Sequence, residues 1–291
     1  MSKKLKSEVT RLTEEEKRFV EHLRDLSKPQ TTTKVKVQYI EKTQNDGDLY
    51  FILPDAHYPF QDEELMIKVR QCIQDNPPKG VCISGDWLDL LTLGSYSADS
   101  LEILRNITLT DEYVSGLEGI YKLENVLPAG CEKMFLWGNH EDRFKREMQK
   151  RDNGKYGGEL QNPTKALKLV ELGWEVKEDW RDDFFTIGDL DVMHGIYCNI
   201  HTAKKHLDMH GNNIMFGHTH RIQTYFTRHH AGFNIGCLAD INHKAFSYMP
   251  RMQREVWSQG FGVTRVRDGK AYSEVIPVRS GGFFFNGNIK T

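Results

Sequence analysis

Five short apolar runs, each followed at once by polar residues with ligand-type side chains, constrain this sequence most. In chain order they are LYFILP, GVCIS, KMFLW, DLDVM and NIMF, and they lead into DAH, GD, GNH, HG and GHTH. Runs of this length between helical stretches are typical of buried strands. Open α/β sheets place their sites beyond the carboxyl ends of strands, so these polar groups are expected to meet. The pattern predicts an α/β protein with a mixed sheet.

Helical signals separate the predicted strands, at about residues 62–74, 110–126 and 162–172. The third has Asn162 as N-cap and Pro163 at its first position, and Gly173 ends it. A further helix after the HG motif ends at Gly211 and carries three histidines. They are interpreted as a solvated helix end rather than as a second metal site, because no acidic base accompanies them: His201, His206 and His210.

Two alternating strands around an Asp268-Gly269 turn are predicted near the C-terminus. Alternation of apolar and polar residues on both sides of such a turn is typical of a β-hairpin. The hairpin is expected to form or extend a second sheet. Residues 48–291 contain no linker rich in glycine and proline, which favours one domain.

The N-terminal residues 1–45 are interpreted as a charged, partly helical arm. Thr13 as N-cap with Glu16 three residues later begins the helix, whose apolar stripe would dock on the main domain or on a partner. No stretch is apolar enough for a signal peptide or a membrane span, so no membrane contact is expected. Five widely spaced cysteines favour a reducing compartment, and a cytoplasmic location is predicted.

The net charge of -2 indicates no basic field over the whole chain that would attract nucleic acid. Any such contact would be local, and the basic run at residues 145–151 is one candidate, although such runs are usually only solvated. No feature of the sequence indicates an oligomeric state.

The polar motifs differ in how strongly each one indicates a metal site. By chance, a chain with this composition would contain DxH about once but GHxH only a few hundredths of a time. Carboxylates, an amide and imidazoles together are ligands for a dinuclear metal site, in which one carboxylate bridges both ions. The spacing within DAH and HTH would place both side chains of each pair on one face if the backbone were extended.

The ordered series DAH, GDWLD, GNHED, HG and GHTH resembles the calcineurin-like metallophosphoesterase superfamily, over roughly Leu49 to Arg221. The resemblance implies a four-layer αββα sandwich, with two mixed β-sheets flanked by helices, and makes residues 46–291 the catalytic domain. It also implies two divalent metal ions at the strand ends. Their expected ligands are Asp55, His57 and His220 for one ion, Asn139, His194 and His218 for the other, and Asp86 as the bridge.

The resemblance further implies attack by a metal-bridging hydroxide, with His140 protonating the leaving group. Asp89 would orient that imidazole, although it could equally cap a helix. Arg143 and Arg221 are candidates for binding a phosphate oxygen. Tyr58 and Tyr197, close to predicted ligands, are candidates for a substrate wall. Mn²⁺ is the favoured metal, with Fe²⁺ or Zn²⁺ as alternatives.

The substrate is the least constrained feature. GDWLDLL lacks the arginine of the GDxVDRG pattern of phosphoprotein phosphatases, which disfavours that branch. The expected activity is a phosphodiesterase acting on nucleotide or nucleic-acid phosphodiesters, a nuclease being one form of it. The alternatives are a phosphomonoesterase of small metabolites and a metal-binding scaffold with little activity.

Overall fold

The structure, a computed structural model, describes residues 47–94, 105–150 and 161–290. The predictions for the arm at residues 1–45, including the helix that follows Thr13, lie outside these residues. All five predicted strands fall inside them, and each is a strand in the structure.

The first sheet has six strands and contains the first three predicted runs. Its strands are β1 (Asp48–Leu53), β2 (Gly80–Ile83), β3 (Glu132–Leu136), β4 (Glu175–Lys177), β10 (Gly260–Arg267) and β11 (Lys270–Pro277). The order is β11-β10-β1-β2-β3-β4; β1 to β4 are parallel neighbours, and β10 pairs antiparallel with β1 and β11. The sheet is therefore mixed, with the carboxyl ends of its first three strands at one edge.

The second sheet has five strands and contains the other two runs. Its strands are β5 (Phe185–Ile187), β6 (Leu190–Val192), β7 (Asn213–Phe216), β8 (Ile222–Phe226) and β9 (Ala231–Ile235). They lie in the order β5-β6-β7-β9-β8, with β6, β7 and β9 parallel and the outer strands antiparallel. Two further strands, β12 (Phe283–Phe285) and β13 (Asn288–Lys290), form a separate antiparallel pair.

Six α-helices are present in the described residues. They are α1 (Glu63–Asp75), α2 (Leu109–Glu124), α3 (Asp142–Lys150), α4 (Pro163–Ala166), α5 (Thr202–His210) and α6 (Arg251–Arg254), with 3₁₀ turns at Leu91–Leu93 and Lys244–Tyr248. The Asn162 side chain accepts a hydrogen bond from Thr164 N, as its predicted capping role requires. The helix it begins is shorter than expected, and Lys168 behind it has a positive φ of 51°. Residues 167–172 form turns instead.

Alternation along the central strands divides the core into layers. On β1, Phe51 and Leu53 pack into the cluster that includes residues of α1 and α2, whereas Tyr50 and Ile52 face the second sheet. On the far side of the second sheet, Phe216 belongs to a cluster with residues of α5. Because successive strand residues point to opposite faces, each strand joins two layers. The predicted four-layer αββα sandwich is confirmed.

The C-terminal hairpin is confirmed, but its predicted place is wrong. Asp268 and Gly269 both have positive φ, as a two-residue hairpin turn requires. The strand before the turn pairs with β1, so the hairpin extends the first sheet rather than the second. None of the helices in the described ranges is both long and apolar enough to cross a bilayer. All five cysteines are free.

Candidate metal centre

The predicted ligands follow the carboxyl ends of the strands on tight turns with unusual backbone angles. A positive φ costs a residue other than glycine on the order of 1 to 3 kcal/mol unless the surrounding structure holds it. The backbone of DAH and HTH is not extended, so turns rather than a pleat direct these side chains. The ligands with positive φ are Asp55 (44°), His57 (54°), Asp86 (49°), His218 (67°) and His220 (54°).

Glycines in the motifs let a ligand from another motif lie against the backbone. A Cβ on Gly138 would stand 2.0 Å from Asp86 Oδ1, and one on Gly217 would stand 1.8 Å from Asp55 Oδ2. Both distances are far inside van der Waals contact, so only glycine fits. The glycines of GNH and GHTH thus serve the packing of ligands from different strands.

One group of ligand atoms consists of Asp55, His57 and His220, all buried. The two imidazoles approach with 3.0 Å between their Nε2 atoms, and His220 Nε2 lies 3.5 Å from Asp55 Oδ1. His57 Nδ1 lies 2.9 Å from Asp89 Oδ2, a carboxylate that can only accept, so Nδ1 carries a proton and Nε2 is the ring's ligand atom. This group has the donor chemistry of a cation site.

The second group consists of Asp86, His194 and His218, with Asn139 beside them. His194 Nδ1 donates to the carbonyl of Ser84 at 3.0 Å, which leaves Nε2 for a metal. That Nε2 lies 3.0 Å from Asn139 Oδ1, 3.2 Å from His218 Nδ1 and 3.4 Å from Asp86 Oδ2. The structure thus brings the amide of the GNH motif together with histidines from two strands of the other sheet.

Asp86 stands between the two groups. Its Oδ2 lies 3.4 Å from His194 Nε2 and 3.8 Å from His57 Nε2, and its Oδ1 accepts from His140 N at 2.9 Å. Burial alone would raise the pKa of this carboxyl, but the facing His194 and His140 hold it well below its usual range. Carboxylate and imidazole atoms that converge in this way fit a metal centre. All seven predicted ligands belong to it or border it.

Asp89 does not play the role that was predicted for its carboxylate. The carboxylate binds His57, whereas its Oδ2 is 3.7 Å from His140 Nδ1. His140 Nδ1 instead donates to the backbone carbonyl of Asp89 at 2.6 Å. Asp89 therefore orients both imidazoles, but through different groups. The sequence could not show this, because it does not fix which atom of a residue faces the neighbour.

Arg143 is already engaged with the protein. Its Nη1 donates to the carbonyls of Asp89 at 2.8 Å and Leu90 at 3.1 Å, and its Nη2 lies 3.1 Å from His140 Nε2. Burial and this guanidinium lower the pKa of His140 to about 3, which keeps the ring neutral. Arg143 is thus placed beside the predicted proton donor.

The two tyrosines predicted to form a substrate wall do not line the centre. Tyr58 is 1% exposed and packs on Trp87 in the core under the first sheet, with ring centroids 4.7 Å apart. Tyr197 packs on His206 at 5.0 Å and lines a different groove, together with Arg181. The prediction relied on the closeness of both tyrosines to ligands in the sequence, but neighbouring side chains on a turn point in different directions.

The interpretation of His206 as part of a solvated helix end is also wrong. This residue is 1% exposed, and its Nε2 accepts hydrogen bonds from Ile196 N at 2.8 Å and Tyr197 N at 3.3 Å. Burial lowers its pKa to about 4, so the ring is neutral and can accept. His206 thereby anchors the loop that follows His194.

The cleft above the centre has a volume of about 430 Å³, within the range of about 300 to 1,000 Å³ typical of ligand pockets. Arg221, a candidate for binding a phosphate oxygen, lines it. Four other lining residues were not identified from the sequence, because they belong to no metal-ligand motif: Cys198, Met249, Gln253 and Trp257. Cys198 Sγ lies 3.0 Å from His218 Nε2, which leaves His218 Nδ1 toward the centre.

Glu141 also supports the centre, although the motifs did not predict a role for it. It is fully buried, and its carboxylate accepts from Asp86 N at 3.0 Å, Leu88 N at 2.8 Å and Gly138 N at 2.8 Å. Burial raises its pKa to about 7. Its position directly after GNH was the available signal. Glu141 ties together the two turns that carry Asp86 and Asn139.

The basic run at residues 145–151 is largely occupied by contacts within the chain. Lys145 donates to the carbonyl of Glu178, Arg146 to that of Asn139, and Lys150 pairs with Glu147 at 3.1 Å. Residue 151 lies outside the described ranges. The side chains of Arg146 and Lys150 are nevertheless at least half exposed.

No known family model matches the chain, and no curated protein matches it in sequence. Among solved structures, it is similar to Vps29 of Chaetomium thermophilum at 9% identity, over 83% of this chain and 94% of that one, with a TM-score of 0.44. Vps29 of Entamoeba histolytica complexed with Zn²⁺ shows 10% identity over 83% and 96% of the two chains, with a TM-score of 0.40.

A Streptococcus pneumoniae protein described as a predicted phosphoesterase shows 11% identity over 84% and 95% of the two chains, with a TM-score of 0.34. These are distant likenesses. The four layers, the two mixed sheets and three overlapping groups of ligand-type side chains, one of which joins His140 to His57 and Asp86, are present in this chain itself. The chain therefore has a four-layer fold with two mixed sheets, and its motifs resemble those of the calcineurin-like metallophosphoesterase superfamily.

Proposed function

We propose that this chain is a phosphoester hydrolase with two divalent metal ions, Mn²⁺ being favoured. The position of Asp86 Oδ2 carries the proposal, because this oxygen lies within 3.8 Å of imidazole nitrogens from both groups. A carboxylate in that place can serve two cations at once. A scaffold without activity would not require the complete set of ligands.

Asp55, His57 and His220 would hold one ion, Asn139, His194 and His218 the other, with Asp86 shared. When bound, the ions would supply Lewis-acid chemistry, lowering the pKa of a water towards neutrality and offsetting the charge of a phosphate. Asp89 keeps His57 in the tautomer that leaves Nε2 free to bind.

His140 is the proposed proton donor to the leaving group. In the structure its Nε2 faces Arg143 and its Nδ1 donates to the Asp89 carbonyl, so the ring is neutral. A bound phosphate changes both the protonation of the ring and the contact of Nε2 with Arg143. One of its oxygens can accept from Arg143, which frees Nε2, and its negative charge raises the pKa of His140, so that Nε2 takes up a proton from water and can pass it to the leaving oxygen.

The proposed substrates are phosphodiesters of nucleotides or nucleic acid. The cleft volume of about 430 Å³ leaves room for groups on both sides of a phosphate. Arg221 in its wall offers donors that suit a phosphate oxygen.

The test is hydrolysis of bis-p-nitrophenyl phosphate and p-nitrophenyl phosphate by the full chain with Mn²⁺, before and after chelation. Faster turnover of the diester, lost on chelation and restored by metal, supports the proposal. Preference for the monoester would favour the small-metabolite alternative. No turnover with both metals bound would favour the scaffold and refute an enzyme.

A further inference from the structure

One wall of the cleft is built by residues outside the metal-ligand motifs. Met249, Gln253 and Trp257 are spaced four apart along the segment that contains α6, and all three line the cleft. Only Gln253 lies in α6; Met249 has extended backbone before the helix and Trp257 follows the turn after it, so the shared lining of the cleft, and not helical spacing, places the three side chains together. The segment therefore presents a thioether, an amide and an indole side by side, next to the metal centre.

Trp257 is held in place but not enclosed. Its ring contacts His220, with centroids 4.3 Å apart, and Phe246, with centroids 5.5 Å apart. The residue is only partly buried and packs at the edge of the cluster around Phe246. An aromatic ring that is already fixed loses little conformational freedom when a second ring stacks on it. Trp257 thus places a partly exposed indole in the cleft, directly beside a predicted ligand.

The polar groups near this ring can form hydrogen bonds with the base edge and the phosphate of a nucleoside phosphate. Gln253 is exposed in the cleft and offers an amide donor and acceptor, the pair that reads the edge of a base. Arg221 has a buried Nε with no hydrogen-bond partner among the described residues. Among the described lining residues, Asp86 is the only carboxylate, so the wall itself does not repel an anion.

We propose that this wall is a nucleobase subsite, in which Trp257 stacks on the base and Gln253 contacts its edge. The inference rests on the proposed phosphoesterase function and assigns recognition of the base in its nucleotide substrates to this wall. A phosphodiester of an aliphatic alcohol or a sugar would leave the indole without a stacking partner.

The test compares two diesters with the same leaving group, thymidine 5′-(p-nitrophenyl phosphate) and methyl p-nitrophenyl phosphate. Trp257→Ala is expected to lower kcat/KM for the thymidine ester about tenfold, the effect of losing one stacked base, and to change the methyl ester less than about twofold. Trp257→Phe keeps a ring and should retain most of the preference. Tyr272→Ala, which removes an exposed ring from β11, is the matched control.

A binding measurement separates this inference from the proposed function. Calorimetry should show that thymidine 5′-monophosphate binds more tightly than inorganic phosphate. Trp257→Ala should weaken the binding of the nucleotide and leave the binding of inorganic phosphate unchanged. If neither ester is hydrolysed, the proposed function fails, while this nucleotide preference still supports the subsite. Equal binding of nucleotide and phosphate to the wild type overturns the subsite, whatever the activity.

Because Trp257 packs on His220, its alanine variant requires a check of metal content. Equal losses for both esters with unchanged metal content overturn the proposal. If Trp257→Ala does not fold, Gln253→Ala decides instead. It removes an exposed side chain and should lower kcat/KM for the thymidine ester while sparing the methyl ester; an unchanged ratio of the two overturns the subsite.

Discussion

The carboxylate of Asp89 accepts a hydrogen bond from His57 Nδ1 at 2.9 Å, and both side chains are almost completely buried. Burial would raise the pKa of Asp89, but His140 and His57 lower it to about 2, so the carboxylate is charged at neutral pH. A charged acceptor on the far side of an imidazole makes the opposite nitrogen a stronger metal ligand. Asp89 thus acts on the centre without belonging to it.

Asp89→Asn should weaken metal binding by about 10- to 100-fold, mainly in the group that contains His57. Asparagine keeps an acceptor oxygen but loses the charge that polarises the imidazole. Titration with Mn²⁺, read by metal analysis of the protein, measures the change. Asp268→Asn, on an exposed turn, is the matched control. Unchanged affinity for both ions would show that the Asp89 charge has no effect on the centre.

Asp86→Asn should reduce the affinity for both ions together, each by at least about tenfold, because the shared oxygen loses its charge. His220→Ala, in contrast, should affect mainly the ion held with Asp55 and His57. Metal content per chain after dialysis distinguishes the two patterns. If Asp86→Asn removes only one ion, Asp86 is a ligand but not a bridge.

The sequence predicted the strands because they are local, and it predicted the convergence of the ligands because sites lie beyond the carboxyl ends of strands and each motif directly follows one. Apolar runs of four to six residues identify strands, and GHTH and GNH are rare enough to indicate a site. What it could not predict depends on contacts between distant segments. Alternation around Asp268 predicts a hairpin, but its neighbour, β1, lies more than 200 residues earlier in the chain. Likewise, nothing near Trp257 in sequence connects it with His220.

The direction of side chains on turns was the other feature that the sequence did not predict. Tyr58 and Tyr197 lie close to ligands in sequence, yet both turn away from the cleft into other packing. The positive φ of His57 rotates the chain so that successive side chains point in unrelated directions. Strand periodicity therefore does not apply to the turns that carry the site, although it correctly describes the strands before them.

Glu112 should make the stability of the metal-free protein depend on pH. It is fully buried and accepts from Leu91 N at 2.6 Å, and burial followed by the charge of Asp89 raises its pKa to about 8. A carboxyl whose folded-state pKa lies above its unfolded value stabilises the fold fully below about pH 4.5. That contribution is lost as the pH rises through about 8.

The free energy of unfolding of Glu112→Gln should therefore rise relative to that of the wild type between pH 5 and pH 9, by a few kcal/mol. Urea unfolding at several pH values measures the difference, with Glu118→Gln, which is exposed, as the control on the same helix. A constant difference between Glu112→Gln and wild type across this range would contradict the raised pKa.

His140→Ala should slow hydrolysis by about 10² to 10⁴-fold for diesters with poor leaving groups, because an alkoxide needs a proton as it departs. Bis-p-nitrophenyl phosphate has a good leaving group and should be affected much less. The dinucleotide thymidylyl-thymidine provides the poor one. Metal content should stay unchanged, since His140 Nδ1 donates to the Asp89 carbonyl and His140 Nε2 accepts from Arg143, so both ring nitrogens are engaged with the protein.

Equal slowing of the two substrates would remove His140 from proton transfer and leave it a role in holding Arg143. Arg143→Lys separates these roles further. Lysine keeps the positive charge but cannot reach two carbonyls and an imidazole at once with a planar fork. Arg143 frees His140 only if its hydrogen bond shifts from Nε2 to a phosphate oxygen before His140 donates a proton. In that case Arg143→Lys should lower kcat for the dinucleotide more than for bis-p-nitrophenyl phosphate, as expected for His140→Ala. A loss confined to KM would instead show that Arg143 only binds the substrate.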